Sequence, residues 1–261
     1  MSTLPAERAK RDAGYHAAGM VEDGMVIGLG TGSTTYHAMV RLAERFAEKE
    51  ISITGVPTSH QTAIRARELG IPLTSLDDHP CLDLAIDGAD QADPLLRLVK
   101  GRGAALTREK VVACAAGRLV IVADPGKLVQ ALSGIVPVEV IPFAAVPVMH
   151  ALADMGGAPR IREGKAKDGP VITDNGNYIL DCRFEEIPDP AHLEDALLRE
   201  LGEFGCDLGV KGHHEARRLL RTVERRREGR ELLRALCHPE ALRRVDDVAE
   251  RDEDPASALA H

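Results

Sequence analysis

The sequence predicts an α/β fold in which helices cover a doubly wound, mostly parallel sheet, with a smaller α+β domain attached. Short apolar segments alternate with helical patterns through the first half of the chain, which is typical of a parallel sheet. Hydrophobic residues make up 44% of the chain, but aromatic residues make up only 3% and Trp is absent. A core of Ala, Val, Leu and Ile suits a buried parallel sheet. The 261 residues suffice for one large and one smaller domain.

The first half of the chain supplies the elements of the predicted parallel sheet. Helices are predicted over 6–20, 34–49, 59–69 and 107–116, and strands over 25–28, 51–56, 82–86, 95–99 and 119–123. The second helix has one apolar face, formed by Ala38, Met39, Leu42 and Phe46. Ser59 and Thr107 are suitable N-caps for the third and fourth helices, and Gly70 is suited to end the third.

The pattern changes after Gly134, where shorter strands and prolines replace the regular alternation. Strands are predicted over 135–141, 160–162, 171–173 and 178–182, with helices over 144–155 and from 190 to about 203. Asn175-Gly176 is typical of a hairpin turn. These elements predict a small α+β domain. The Arg-rich segment 215–234 is predicted to form one or two charged helices.

Charge and cysteine content narrow the function classes. The net charge of −8 argues against a general nucleic-acid binder. No segment reaches the roughly 18 apolar residues of a membrane span, and the N-terminus lacks the apolar region of a signal peptide. The five cysteines show no Cys-x-x-Cys spacing, which indicates reduced thiols and no zinc site. We therefore expect a cytoplasmic protein that binds neither nucleic acid nor a membrane.

A glycine-rich loop follows the first predicted strand. Residues 28–35 read Gly-Leu-Gly-Thr-Gly-Ser-Thr-Thr, and a helix is expected to begin near Thr34. A helix N-terminus presents unpaired N–H groups, and glycines let the backbone approach a phosphate closely. The loop is not a Walker A motif, and Ser33 stands where Gly-x-Gly-x-x-Gly needs its third glycine. The spacing fits a phosphate cradle for a small molecule or a plain tight turn.

Two carboxylates follow the apolar strand that ends at Ile86. Asp87 and Asp90 flank the pair Gly88-Ala89. In an open parallel sheet the carboxyl ends of strands line the ligand crevice. Carboxylates there can bind sugar hydroxyls or a metal ion, whereas in a purely structural role Asp90 would cap a turn and Asp87 would be solvated.

A second glycine turn precedes the fourth helix. Residues 100–110 read Lys-Gly-Arg-Gly-Ala-Ala-Leu-Thr-Arg-Glu-Lys. Lys100 at a strand end is suited to stabilise a developing oxyanion. Glu109 falls in the first turn of the helix, where it is either a catalytic carboxylate or simply a complement to the helix dipole.

Taken together, the motifs resemble the type A family of ribose-5-phosphate isomerase. Besides the glycine loop, Asp-Gly-Ala-Asp and the segment from Lys100, they include Val-Ala-Asp before Lys127, Pro-Val-Glu-Val-Ile-Pro and Thr-Asp-Asn-Gly-Asn. They occur in that family's order over residues 6–203. One departure is Arg102, which replaces the middle glycine of the family's usual Lys-Gly-Gly-Gly. If that position needs a positive φ, the arginine is strained; otherwise its charge lies near the phosphate or sugar.

The resemblance implies an aldose–ketose isomerase of the non-oxidative pentose phosphate pathway. It would interconvert D-ribose 5-phosphate and D-ribulose 5-phosphate through an enediolate, with no metal, nucleotide or other cofactor. By this resemblance Glu109 is the base, Lys100 stabilises the intermediate, and Asp87 and Asp90 orient hydroxyls and assist ring opening. The implied substrate-binding residues are Lys10, Thr31, Gly32, Ser33, Thr34, Gly101, Gly103 and Lys127.

The expected organisation has three regions. These are a Rossmann-like catalytic domain over 1–132, the small α+β domain over 133–206 and a charged helical region over 207–261 whose return to the first domain stays open. A homodimer or homotetramer that binds a small sugar phosphate is expected. The family's usual segment after the last small-domain helix has no clear match here, so the closing strands are left undefined.

Two other function classes are weaker. A sugar-phosphate-sensing module on the same fold would lack the complete base and lysine set and would usually carry a helix-turn-helix domain. A nicotinamide oxidoreductase should show Gly-x-Gly-x-x-Gly and an acid at the end of the second strand. That strand ends here in Val56-Pro57, without an acid.

Overall fold

The computed structural model describes residues 4–166, 168–187, 189–201, 207–208 and 210–211. In chain order the helices are α1 (Leu4–Ala18), α2 (Ser33–Ala47), α3 (His60–Glu68), α4 (Leu106–Ala115), α5 (Ala145–Asp154) and α6 (Pro190–Leu201). The strands are β1 (Val26–Leu29), β2 (Thr54–Pro57), β3 (Leu84–Gly88), β4 (Gln91–Ala92), β5 (Leu98–Val99), β6 (Leu119–Val122), β7 (Gly134–Val140), β8 (Ala158–Ile161), β9 (Tyr178–Phe184), β10 (Asp207–Leu208) and β11 (Val210–Lys211). No helix in these ranges is long and apolar enough to cross a membrane.

The predicted parallel sheet is present, with strand order β2-β1-β3-β6. All three strand pairs are parallel; Ile27, for example, lies between Gly55 and Leu84. From β1 the chain moves to β2 on one side and later to β3 on the other. The strand order therefore reverses between β1 and β3, and in such sheets ligands bind in the crevice beyond the carboxyl ends of those strands.

Helices cover both faces of this sheet, as the doubly wound prediction requires. On one face Ile27, Leu29 and Ile86 pack in a buried cluster with Leu42 of α2 and alanines of α1. On the other face Ala85 packs with Val112 of α4 in a smaller cluster. Burial of apolar surface, which contributes about 25 cal/mol per Å², stabilises both contacts. The start of α4 is thereby fixed next to the end of β3.

A second, antiparallel sheet forms the smaller α+β unit, with strand order β10-β7-β9-β8. Its buried face, which includes Val138 and Leu180, packs against Val148 and Leu152 of α5 and Leu197 of α6. The expected hairpin turn is present at Gly176, which has a φ of +80° and whose N–H donates to the carbonyl of Thr173 (2.9 Å).

Three predicted details are wrong. The strand expected over 95–99 is shorter: β5 pairs antiparallel with β4 and β11 in a separate small sheet. The Asp93 carboxylate accepts the N–H groups of Leu95 and Arg97, which makes a turn instead of a strand there. Thr107 does not cap α4, whose N-cap position is Ala105, and within 171–173 only Ile172 forms a bridge, to Tyr178. Ser59, by contrast, caps α3 as predicted, because its Oγ accepts the Thr62 N–H (3.1 Å).

The chain beyond residue 206 contributes short strands where the structure describes it. β10 pairs with β7 of the antiparallel sheet, and β11 pairs with β5. The predicted charged helices over 215–234 lie outside the described residues. The division at 132 and 206 stays a prediction.

Candidate active site

The glycine-rich loop lies directly against the end of β3. The Gly30 N–H donates to the carbonyl of Ile86 at 2.9 Å. A Cβ atom at Gly30 would lie 2.6 Å from that same oxygen and would also overlap the Asp87 carboxylate. Only glycine fits at this position, so the sequence brings the loop into contact with the predicted catalytic aspartate.

The loop ends at the N-terminus of α2. Gly32, with a φ of +150°, is the N-cap, and its carbonyl accepts the first helical hydrogen bond, from Tyr36 N–H (3.2 Å). The amides of Ser33, Thr34 and Thr35 therefore precede the helical bonding pattern and point beyond the helix end. The first turn of α2 contains no acid. These features suit an anion.

Thr31 anchors the loop to the start of α3. Its Oγ1 lies 2.8 Å from Ser59 Oγ, 2.9 Å from Thr58 Oγ1 and 3.1 Å from Thr62 Oγ1. Thr62 Oγ1 in turn donates to the Gly30 carbonyl (3.1 Å). This hydroxyl cluster holds the loop in shape, so Thr31 is positioned to offer its backbone, with its side chain engaged in the scaffold.

Lys100 joins two buried carboxylates at the carboxyl end of the parallel sheet. Its Nζ lies 2.8 Å from Asp87 Oδ2 and 2.9 Å from Glu109 Oε2 and donates to the Gly88 carbonyl (2.6 Å). All three residues are at most 5% exposed. An ammonium group has three N–H donors, and Lys100 uses all of them on the two carboxylates and the Gly88 carbonyl. We call Asp87, Lys100 and Glu109 the Lys100 triad.

The glycine turn after Lys100 delivers Glu109 to the triad. Positive φ values occur at Gly101 (+99°) and Ala104 (+60°) but not at Arg102. The arginine that replaces the family's glycine is therefore unstrained. Its backbone N–H donates to Asp90 Oδ2 (2.9 Å), which ties Asp90 to the turn. Gly103 faces the other loop, because a Cβ there would lie 3.9 Å from Thr31 Cγ2.

The electrostatics of the triad raise the pKa of its base. Burial, followed by the charge of Asp87, raises the pKa of Glu109 from 4.5 to about 7, although Lys100 opposes this. Burial alone would lower the pKa of Lys100, but the Asp87 and Glu109 carboxylates outweigh it and raise that pKa. Lys100 therefore stays protonated at neutral pH, whereas Glu109 can gain or lose a proton.

Two predicted binding lysines lie further from the triad. Lys10 forms an ion pair with Glu7 (2.7 Å) on α1. It is one turn before Gly14, where a Cβ would lie 2.9 Å from the Thr34 carbonyl, so this part of α1 closely approaches the start of α2. Lys127 is half-buried and ends a short 3₁₀ turn after β6. A phosphate contact of Lys10 and a sugar contact of Lys127 stay predictions.

Sequence reasoning assigned no role to a set of residues that the second sheet brings to α4 and its turn. Glu139 accepts a hydrogen bond from Thr107, and Arg162 donates to the carbonyls of Gly101 (3.2 Å) and Arg102 (3.0 Å). Glu139 lies in Pro-Val-Glu-Val-Ile-Pro, a motif that supported the resemblance without giving the glutamate a role. The one local indication was an acid, Glu139, within an apolar strand.

His60 lies at the surface, with Nδ1 3.4 Å from Asp174 Oδ1.

Within the described ranges, no group of three or more His, Cys, Asp or Glu side chains is arranged to hold a metal ion. The Asp87 and Asp90 oxygens contact Lys100 and backbone N–H groups instead. Metal independence of the reaction stays a prediction that needs an assay.

Comparison with known proteins identifies the family. The family model described as ribose 5-phosphate isomerase A (phosphoriboisomerase A) matches residues 54–202, which include the triad and Asp90. A ribose-5-phosphate isomerase A of Methanoregula boonei is 64% identical over 71% of this chain and 78% of its own length.

Solved structures agree. Ribose 5-phosphate isomerase A from Methanocaldococcus jannaschii has a TM-score of 0.74 at 41% identity, covering 80% of this chain and 92% of that one. A D-ribose-5-phosphate isomerase in complex with phospho-erythronic acid has a TM-score of 0.74 at 45% identity, covering 78% and 90%. The chain belongs to the ribose 5-phosphate isomerase A family.

Proposed function

We propose that this protein interconverts D-ribose 5-phosphate and D-ribulose 5-phosphate, with the Lys100 triad as its catalytic centre. The observation that carries this proposal is a buried carboxylate with a pKa near 7, Glu109, in contact with a permanently charged lysine beside a loop suited to bind phosphate. An aldose–ketose isomerase needs these three parts: a base, an oxyanion stabiliser and an anchor for the phosphate. The phospho-erythronic acid in the complex of a relative is likewise a phosphorylated, sugar-derived molecule.

The phosphate would bind at the N-terminus of α2. The amides after Gly32 donate to its oxygens, and the dipole of the 15-residue helix favours the negative charge. Lys10 would add a cation by exchanging its contact with Glu7. Because the phosphate is remote from the reacting carbons, binding energy there orients C1 and C2 at the triad.

Glu109 would move the proton between the two carbons. Its carboxylate removes the proton from C2 of the open-chain aldose, the electron pair forms the C1–C2 double bond of the enediolate, and the aldehyde oxygen gains the negative charge. The proton of the C2 hydroxyl passes to O1, the carbonyl forms at C2, and the carboxylic acid of Glu109 returns the carbon-bound proton to C1, which gives the ketose. A pKa of about 7 suits both steps near neutral pH, because neither protonation state is strongly favoured.

Lys100 would stabilise the enediolate by exchanging one of its partners. Its three N–H groups are already engaged, so the substrate oxygen must replace one acceptor. Replacement of Glu109 Oε2 would also release the base for its reaction. Asp87 and Asp90 would then orient the sugar hydroxyls and assist ring opening at the edge of the crevice.

The regulatory alternative does not account for the triad. A sensor of sugar phosphates needs an anchor and polar contacts, but it gains nothing from burying a base whose ionised form is destabilised. A buried, pKa-shifted carboxylate in a crevice is typical of catalysis.

The test is formation of ribulose 5-phosphate from ribose 5-phosphate in a coupled assay, with and without EDTA. We expect turnover that chelation leaves unchanged, because the triad itself supplies the positive charge for the oxyanion. Absence of turnover would contradict the proposed function. Loss of turnover on chelation, with recovery on adding a divalent ion, would contradict only metal independence.

We also propose a cytoplasmic homo-oligomer, either a dimer or a tetramer. Cys81 is a free, exposed thiol, which fits a reducing compartment. Phe143 is 98% exposed next to exposed Ile141 and Val146, and apolar surface of this kind is common where subunits meet. Light scattering on the purified protein should give a mass of two or four chains, and a monomer would contradict this proposal.

A further inference from the structure

Glu139 of β7 is a buried carboxylate outside the catalytic triad. It is 1% exposed. Four side chains donate hydrogen bonds to it: Thr107 to Oε2 (2.6 Å), and Thr173 (2.7 Å), Asn175 (3.0 Å) and Asn177 (3.0 Å) to Oε1. These donors are all neutral. Burial of a carboxylate is costly even when it is hydrogen-bonded, so a role beyond filling space is expected.

The four donors come from two separate parts of the chain. Thr107 belongs to the first turn of α4, two residues before the base Glu109. The other three belong to the turn around Asn175-Gly176, which precedes β9. One carboxylate therefore joins the helix that carries the base to the small antiparallel sheet. We call Glu139 and its four donors the Glu139 hub.

The same turn also holds α4 through a second residue. Arg108 Nε donates to Asn175 Oδ1 (2.8 Å), and its guanidinium donates to the Asp174 carbonyl (2.9 Å). Helix α4 has no side-chain N-cap, since the residue before it is Ala105. In a helix without a cap, contacts of this kind keep the first turn from fraying.

We infer that Glu139 is a positioning residue that, through Thr107, holds the first turn of α4 so that the Glu109 carboxylate stays against Lys100 and the substrate. This inference rests on the proposed function. The physical reason is that proton transfer is highly sensitive to geometry, and a misplacement of about 1 Å can lower a rate about a hundredfold. In the described residues no hydrogen bond or ion pair joins the phosphate loop to the Glu139 hub, so substrate affinity should depend on it little.

The test compares Thr107→Val, which removes the hydroxyl at nearly constant volume, with Thr107→Ser, which retains it. The matched control is Thr74→Val, which removes a threonine hydroxyl bonded to His79 (2.9 Å) away from the crevice. We expect kcat to fall about tenfold or more in Thr107→Val while KM for ribose 5-phosphate changes by less than about twofold. Thr107→Ser should restore kcat, and Thr74→Val should match the wild type.

Glu139→Gln provides a second test if Thr107→Val does not fold. The amide oxygen can accept the three bonds from the hairpin turn, and the amide nitrogen can donate to Thr107 Oγ1, so we expect kcat within about threefold of the wild type. Wild-type kcat in Thr107→Val, equal loss in Thr107→Ser, or collapse of kcat in a folded Glu139→Gln would each overturn the inference. Failure of the proposed function looks different, because the wild type itself would then not turn over ribose 5-phosphate.

Discussion

Replacement of Glu109 by Gln should nearly abolish isomerisation while leaving substrate binding intact. Glutamine keeps the shape of the side chain and an oxygen that can accept from Lys100, which lies 2.9 Å from Glu109 Oε2. It cannot accept the C2 proton. Loss of a general base typically lowers kcat by about 10² to 10⁴. KM should change little, because the phosphate anchor at α2 is unaltered.

The raised pKa of Glu109 also predicts how kcat/KM of the wild type depends on pH. With a pKa of about 7, Glu109 is ionised to about one tenth at pH 6, so wild-type kcat/KM should fall about tenfold between pH 8 and pH 6. With its ordinary pKa of 4.5, the carboxyl would be almost fully ionised at both pH values. The substrate phosphate also titrates, near pH 6, and causes a second fall in kcat/KM at lower pH. The residual kcat/KM of Glu109→Gln should therefore show only the fall caused by the phosphate.

The same shift has a consequence for stability with a definite sign. Because folding raises the pKa of Glu109, the folded state favours its protonated form; this contribution to stability is fully present below pH 4.5 and is lost as the pH rises through 7. Glu109→Gln removes the buried charge. The variant should therefore gain about 3 kcal/mol in the free energy of unfolding relative to the wild type at pH 8, and almost nothing at pH 4. A variant that is inactive yet more stable cannot be explained by misfolding.

The assays are ribulose formation and exchange of the C2 hydrogen of the sugar with deuterated solvent. Exchange should disappear together with turnover, because both need the same base. Glu68→Gln, at the exposed end of α3, is the matched control and should behave as the wild type. Near-normal turnover and exchange in Glu109→Gln would refute the assignment, and Asp87 would become the next residue to test.

The remaining predictions concern the phosphate loop. Ser33→Glu places a carboxylate at the N-terminus of α2 and should raise KM for ribose 5-phosphate at least about tenfold through like-charge repulsion; unchanged affinity by calorimetry would show that the loop is only a turn. Gly30→Ala should abolish most activity, because its Cβ overlaps the Asp87 carboxylate, whereas Gly117→Ala, whose Cβ would have no neighbour nearer than 3.4 Å, should be tolerated. Activity in Gly30→Ala equal to that of Gly117→Ala would contradict the close approach of loop and carboxylate.

The parts of the site that follow strand ends could be predicted from the sequence. Gly30 follows β1 and Asp87 lies at the carboxyl end of the neighbouring β3, and the rule that ligands bind at such ends places them together without any knowledge of distant contacts. The role of Glu109 is different. Its spacing alone fits a residue that complements a helix dipole, and the resemblance to a family pointed to catalysis. Burial against Asp87 and Lys100 is a tertiary fact that no local pattern contains.

The errors have the same physical origin. Thr107 has the right chemistry for an N-cap, but its hydroxyl donates instead to Glu139, 32 residues away. An acceptor so far along the chain overrides the preference of threonine for the N-cap position, and a pattern of about ten neighbouring residues does not reveal it. The predicted strand over 95–99 fails in part because Asp93 binds the N–H groups of Leu95 and Arg97, and Leu96 adopts a φ of +60°.

Two helix N-termini contribute to the crevice. Because their first turns differ, one is suited to bind the phosphate and the other carries the catalytic carboxylate. The first turn of α2 has no acid, so its amides are free for the phosphate. The first turn of α4 carries Glu109, whose charge must coexist with that of Asp87 beside the shared cation Lys100. A dianionic phosphate placed there would raise the pKa of the base further and would compete for the lysine. Separate anchoring keeps Glu109 able to lose its proton near pH 7, which the reaction requires.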